Sequence, residues 1–103
     1  MTTLKELIES VQEKNLSKDQ LEKYRDEMSH VFALMQIELA DIEKEKALFF
    51  NNKKEQMPES TDIAIKRLWQ CCSYGLREIE LKRYTLATKE ILSSLRNRLY
   101  NFY

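Results

Sequence analysis

Gly75 and Pro58 are the only glycine and the only proline in 103 residues. A chain this poor in turn formers has few places to fold back. Most of the remainder places apolar residues at heptad-like spacing among charged ones, which is the pattern of long amphipathic helices. Two long helices carry more surface than they cover on each other. The pattern therefore predicts an all-α fold, a long antiparallel helical hairpin with a short N-terminal helix, completed as a bundle by dimerisation.

Charged residues make up 33% of the chain and hydrophobic ones 43%. That balance suits one amphipathic helical domain spanning residues 1–103 and argues against wholesale disorder. No apolar run approaches the roughly 20 residues needed to cross a bilayer, and Met1-Thr2-Thr3-Leu4-Lys5-Glu6 lacks the layout of a signal peptide, so an intracellular protein is expected. Cys71 and Cys72 are adjacent, point about 100° apart on a helix and lack the spacing of a zinc site, and they read as two small buried residues. Net charge is zero, but residues 1–57 hold 9 Lys/Arg against 12 Asp/Glu, and residues 58–103 hold 8 against 5. Opposite charge on the two segments favours their antiparallel pairing, although each exposed ion pair contributes little.

Three helices follow from the punctuation. Thr3 and Glu6 form a capping box for a short helix over about 4–14, closed by Lys14-Asn15. Ser17 and Gln20 form a second capping box, with Leu16 and Leu21 placed as a hydrophobic staple. From there Leu21, Tyr24, Met28, Val31, Phe32, Met35, Leu39, Ile42, Phe49 and Phe50 share one face of a long helix over about 18–51. The stretch at about 52–60, with Pro58, reads as a loop. Ser60 then caps a long helix over about 61–101, with Asp62 in its first turn.

The apolar stripe of the last helix changes direction. Ile65, Trp69, Cys72, Leu76 and Ile79 face one way, whereas Leu81, Tyr84, Thr88, Ile91, Leu95, Leu99 and Phe102 face another, roughly 130° around an ideal wheel. One partner helix cannot cover both. Either the helix bends, or its halves pack on different neighbours. Gly75 lies in the upstream half and reads as a packing or kink position, since a mid-helix glycine costs about 1 kcal/mol relative to alanine.

No catalytic constellation is visible, and neither a metal nor a cofactor is expected. His30 stands alone. Glu38, Asp41 and Glu45 share a face near Glu43, but the Glu-x-x-His motifs of a di-iron site are absent and Lys44 and Lys46 interleave with them. One glycine cannot build a phosphate-binding loop. The best ligand-binding candidate is a basic stripe of Lys82, Lys89 and Arg96, recurring every seven residues alongside Thr85, Ser93 and Tyr100, which could follow a phosphate backbone. Glu78 on the same face and the zero net charge weigh against nucleic acid. The apolar chain end, Leu99, Tyr100, Phe102 and Tyr103, must dock somewhere, because burying two such aromatics contributes several kcal/mol at about 25 cal/mol per Å².

Lys66-Arg67-Leu68-Trp69, Gly75, Glu80-Leu81-Lys82-Arg83, Lys89, Ser93 to Leu95 and Arg98-Leu99 together resemble small helical proteins encoded by bacteriophages. The likeness covers residues 35–100 in general character and lies specifically in the last helix. It implies a small accessory protein in a bacterial host cytoplasm and carries over no catalytic residue. The resulting expectation is a non-enzymatic interaction module that binds itself and another protein, occluding or scaffolding it, with Trp69, Leu76, Tyr84, Leu95, Leu99, Phe102 and Tyr103 as contacts. A host-defence inhibitor and an assembly component are its two concrete forms. The alternative is a nucleic-acid accessory protein using Lys82, Lys89 and Arg96. No membrane partner is expected.

Overall fold

The computed structural model describes residues 4–13 and 15–102. Among them are four α-helices and no strand, so the fold is all-α: α1 (Leu4–Val11), α2 (Lys18–Gln56), α3 (Asp62–Cys71) and α4 (Ser73–Tyr100). Thr3 of the first capping box, Lys14 of the expected first C-cap and Tyr103 lie outside the described residues.

The second start signal forms as its spacing requires. Ser17 N–H donates to Gln20 Oε1 at 2.9 Å, and Gln20 N–H donates to Ser17 Oγ at 3.2 Å. Leu16 and Leu21 are both buried, as a staple demands. The expected stop at Asn51-Asn52 is corrected, because α2 runs on to Gln56. Asparagine is a weak helix former but no breaker. The helix ends where Pro58 disfavours helical geometry in the residue before it. A turn follows in which Ser60 N–H donates to Met57 O at 3.0 Å, with Pro58 at its second position. The cap of α3 is Thr61 rather than Ser60, and the Thr61 side chain accepts from Ala64 N–H at 3.2 Å.

The expected unbroken helix over 61–101 is also corrected. It divides at Cys72, whose backbone is extended (φ −83°, ψ 165°). Cys72 serves both neighbours. Its N–H donates to Trp69 O at 3.1 Å and closes α3. Its carbonyl accepts from Leu76 N–H at 3.0 Å, and its Sγ accepts from Gly75 N–H at 3.4 Å, so it caps α4. The thiol donates in turn to Trp69 O at 2.9 Å. Gly75 makes this break possible. A Cβ there would lie 1.9 Å from Trp69 O and 2.7 Å from Trp69 C. Only a residue without a side chain lets the first turn of α4 sit against the last turn of α3.

The break also resolves the change of face. Along α4 the buried positions are Gly75, Glu78, Leu81, Thr85, Thr88, Leu92, Leu95 and Leu99. These steps of three and four residues make one continuous heptad stripe. Leu76, Ile79 and Tyr84, which the sequence assigns to apolar stripes, stand outside it and are exposed.

The chain forms two compact units. The first comprises the described residues up to Met35 and those from Tyr84 onward. Its core joins Leu7 and Val11 of α1, Leu16, Leu21 and Met28 of α2, and Leu92, Leu95 and Leu99 of α4, where Leu16 belongs to the connection before α2. The Arg98 guanidinium secures α1, donating to Val11 O at 2.6 Å and Glu13 O at 2.7 Å. A helix C-terminus leaves carbonyls without intrahelical partners, and a cation suits them on both hydrogen-bonding and electrostatic grounds. The second unit, Gln36–Arg83, buries Leu39, Ile42, Ile65, Trp69 and Leu81.

Candidate interaction surface

The second unit is organised around Trp69, which is 1% exposed. Phe49 meets it edge-on at a centroid distance of 5.4 Å, and Tyr74 stacks on it at 6.2 Å. The indole N–H is the one polar atom of this side chain, and it donates to Glu78 Oε1 at 3.4 Å. Glu78 is itself 7% exposed. A carboxylate at that depth needs compensation. Lys46 Nζ supplies it at 3.3 Å, and Lys82 Nζ lies 3.9 Å away. The network fixes Trp69 from both its apolar and its polar side.

Around this core the unit exposes Ile37, Leu48, Ile63, Leu68, Tyr74, Leu76 and Ile79. These seven large apolar side chains outnumber the five it buries. Leu76 and Ile79 are one turn apart on α4, 59% and 39% exposed. Between them in sequence, Arg77 is fixed by two carboxylates, Glu38 Oε2 at 2.8 Å and Glu80 Oε1 at 2.6 Å. The Glu38 hydrogen bond raises the Arg77 pKa above its ordinary value. Tyr74 and Arg77 border a cavity of about 330 Å³ together with Glu38, Asp41, Lys44 and Glu45. Leu76 and Ile79 are thus exposed on either side in sequence of the Arg77 ion pairs.

The contact residues expected from sequence separate into two sets. Trp69, Leu95 and Leu99 are buried inside the chain at 1%, 0% and 3% exposure, so they build the core and are corrected as partner contacts. Leu76, Tyr84 and Phe102 are exposed. Tyr103 lies outside the described residues. In the first unit, Tyr84 borders an apolar cavity of about 520 Å³ with Leu4, Lys5, Ile8 and Glu9.

The basic stripe divides as well. Lys82, Lys89 and Arg96 are all exposed, but Lys82 lies beside the Glu78 carboxylate. Thr85, expected along that face, is buried. The cysteines are not both buried, since Cys71 is exposed and Cys72 half-buried. Among the described residues no group of three or more His, Cys, Asp or Glu could hold a metal ion, and no helix is long and apolar enough to cross a membrane. The carboxylate cluster is instead engaged in part by Arg77, through Glu38.

Sequence reasoning placed Glu78 on the Lys82 face but missed its burial and its bond to Trp69, and it missed the role of Arg98. Glu78 occupies a heptad position, and the spacing 78, 81, 85, 88 reveals it once polar residues are allowed on the stripe. Arg98 pairs with carbonyls more than eighty positions away, and no local pattern announces that. No protein-family model, curated protein or solved structure matches this chain.

Proposed function

We propose that the chain is a non-enzymatic protein-binding module whose docking surface centres on the exposed Leu76 and Ile79 of α4 in the second unit. One observation carries the reading: that unit exposes more large apolar side chains than it buries. The mechanism is occupancy. A preorganised helical surface covers a complementary site on another molecule, and rigid neighbours such as the Arg77 ion pairs lower the entropic cost of binding. In this reading the helices form an antiparallel hairpin that a second copy completes as a bundle. Pairing inside the second unit supports this, because Glu38 meets Arg77 whereas Phe49, further along α2, meets the earlier Trp69. The resemblance to small phage-encoded helical proteins supports a role in a bacterial host cytoplasm, as an inhibitor of a host-defence enzyme or as an assembly component.

The test is a paired substitution, Leu76→Glu with Ile79→Glu. Both side chains are exposed, so far-UV circular dichroism should be unchanged, while sedimentation should show weakened association. Association equal to that of the unsubstituted protein would reject this surface. The alternative is nucleic-acid binding through Lys82, Lys89 and Arg96, of which the last two are exposed and have no ion pair among the described residues. It predicts salt-sensitive binding of single-stranded or duplex DNA that is lost on changing all three to Ala.

A further inference from the structure

In the first unit, α2 and α4 line an open surface groove of about 290 Å³ bordered by Ser29, Phe32, Lys89, Leu92, Ser93 and Arg96, of which the four polar residues are exposed. Its lining contains two cations, two hydroxyl side chains and no carboxylate. Three cavities elsewhere of similar or larger size each include at least one: Glu13, Glu38 or Glu9. Neither cation is engaged by a carboxylate, a condition shared among the described residues with Lys5, Lys44, Lys53, Lys66, Arg67 and Arg83. Lys23, Arg25, Lys46, Lys54, Arg77 and Lys82 all lie within ion-pair distance of a carboxylate, whereas Lys89 and Arg96 have no such partner among the described residues. The acids close to these residues in sequence do not supply one. Glu90 is turned about 100° away from Lys89 on the helix. Asp26, one turn from Ser29 on α2, is held by Arg25 at 3.2 Å.

The spacing makes the site convergent. Ser93 lies four residues after Lys89 and three before Arg96, so the three side chains share one face of α4 with the hydroxyl in the middle. Ser29 supplies a second hydroxyl from α2. Two cations and two hydroxyls match the donor set that a phosphate oxygen cluster needs, with Arg offering a planar fork and Lys a point charge. Half-buried Phe32 and buried Leu92 add an apolar wall. We propose that this groove binds a small phosphate monoester carrying an aromatic group, the phosphate held by Lys89, Arg96 and the two serines and the ring packed against Phe32. The donor set is complete for one phosphate and stops there. A nucleic-acid strand would need further cations in sequence along the groove, and Lys82 is already beside Glu78.

The experiment is a backbone amide NMR titration of the full chain with phenyl phosphate, with inorganic phosphate and with a short oligothymidylate. Saturable shifts confined to Ser29, Phe32, Lys89, Ser93, Arg96 and their neighbours support the proposal, as does tighter binding of phenyl phosphate than of inorganic phosphate. Lys89→Gln with Arg96→Gln should weaken phenyl phosphate by about tenfold or more, because both charge-assisted contacts are lost. Phe32→Leu should remove the preference for the aromatic ester and leave inorganic phosphate binding in place. Shifts that rise linearly and spread over all exposed cations would overturn the proposal. So would oligothymidylate binding at this face without phenyl phosphate binding.

Discussion

Replacing Gly75 by alanine separates two descriptions of the chain by the sign of one free-energy change. In an unbroken helix the substitution stabilises by about 1 kcal/mol, because alanine is the better helix former. In the broken helix the new Cβ would stand 1.9 Å from Trp69 O and 3.0 Å from Gln70 Cα. Both are backbone atoms and cannot swing aside. Relief requires α3 and the first turn of α4 to part by more than an ångström. That movement removes the Cys72 N–H bond to Trp69 O and the Gly75 N–H bond to Cys72 Sγ, each worth about 1 kcal/mol or less. It also disturbs the packing of Phe49 and Tyr74 on Trp69, and overpacking of this kind costs about 1–3 kcal/mol. Set against the gain in helix propensity, the expected net loss is about 2 kcal/mol. Urea unfolding followed by circular dichroism and by the fluorescence of Trp69, the single tryptophan, measures it directly. A variant as stable as the parent, or more stable, would refute the close approach and with it the break at Cys72.

Thr88 is fully buried, and its hydroxyl has no hydrogen-bond partner among the described residues. Thr88→Val keeps the shape and removes a desolvated polar group, so it should stabilise by about 1 kcal/mol in the same urea assay. Arg98→Met keeps much of the side chain's bulk but frees the carbonyls at the end of α1. It should cost about 1–3 kcal/mol and speed amide exchange in α1 far more than in the second half of α2. Glu78→Ala strips the indole N–H of Trp69 and the ammonium of Lys46 of their shared acceptor. It should destabilise by about 1–3 kcal/mol, with Trp69 fluorescence reporting the change.

The parts of the fold that were legible in sequence are those written locally. The Ser17–Gln20 box and the Leu16–Leu21 staple depend on residues within one turn of each other, and they form as read. The apolar face of α2 from Leu21 to Phe50 is likewise buried or half-buried throughout. The break in the last helix was half visible. The change of face and the position of Gly75 pointed to it, but its cap is a cysteine, a residue outside the usual capping set. Once the helix divides at Cys72, the stripe downstream needs no second direction. Glu78 and Thr85 fill heptad positions where an apolar residue is expected, which hid the regular spacing and left Leu76 and Ile79 looking like core. For the same reason Trp69, Leu95 and Leu99 read as contacts from their chemistry, while only three-dimensional burial separates them from Leu76, Tyr84 and Phe102.

Sedimentation equilibrium of the unsubstituted protein, taken from low to high micromolar concentration, bears most directly on the role of the exposed Leu76–Ile79 face of α4. The account predicts a mass that rises with concentration to twice the 12.4 kDa of one chain. A mass that stays at one chain over the whole range would contradict self-association as the means by which that face is covered.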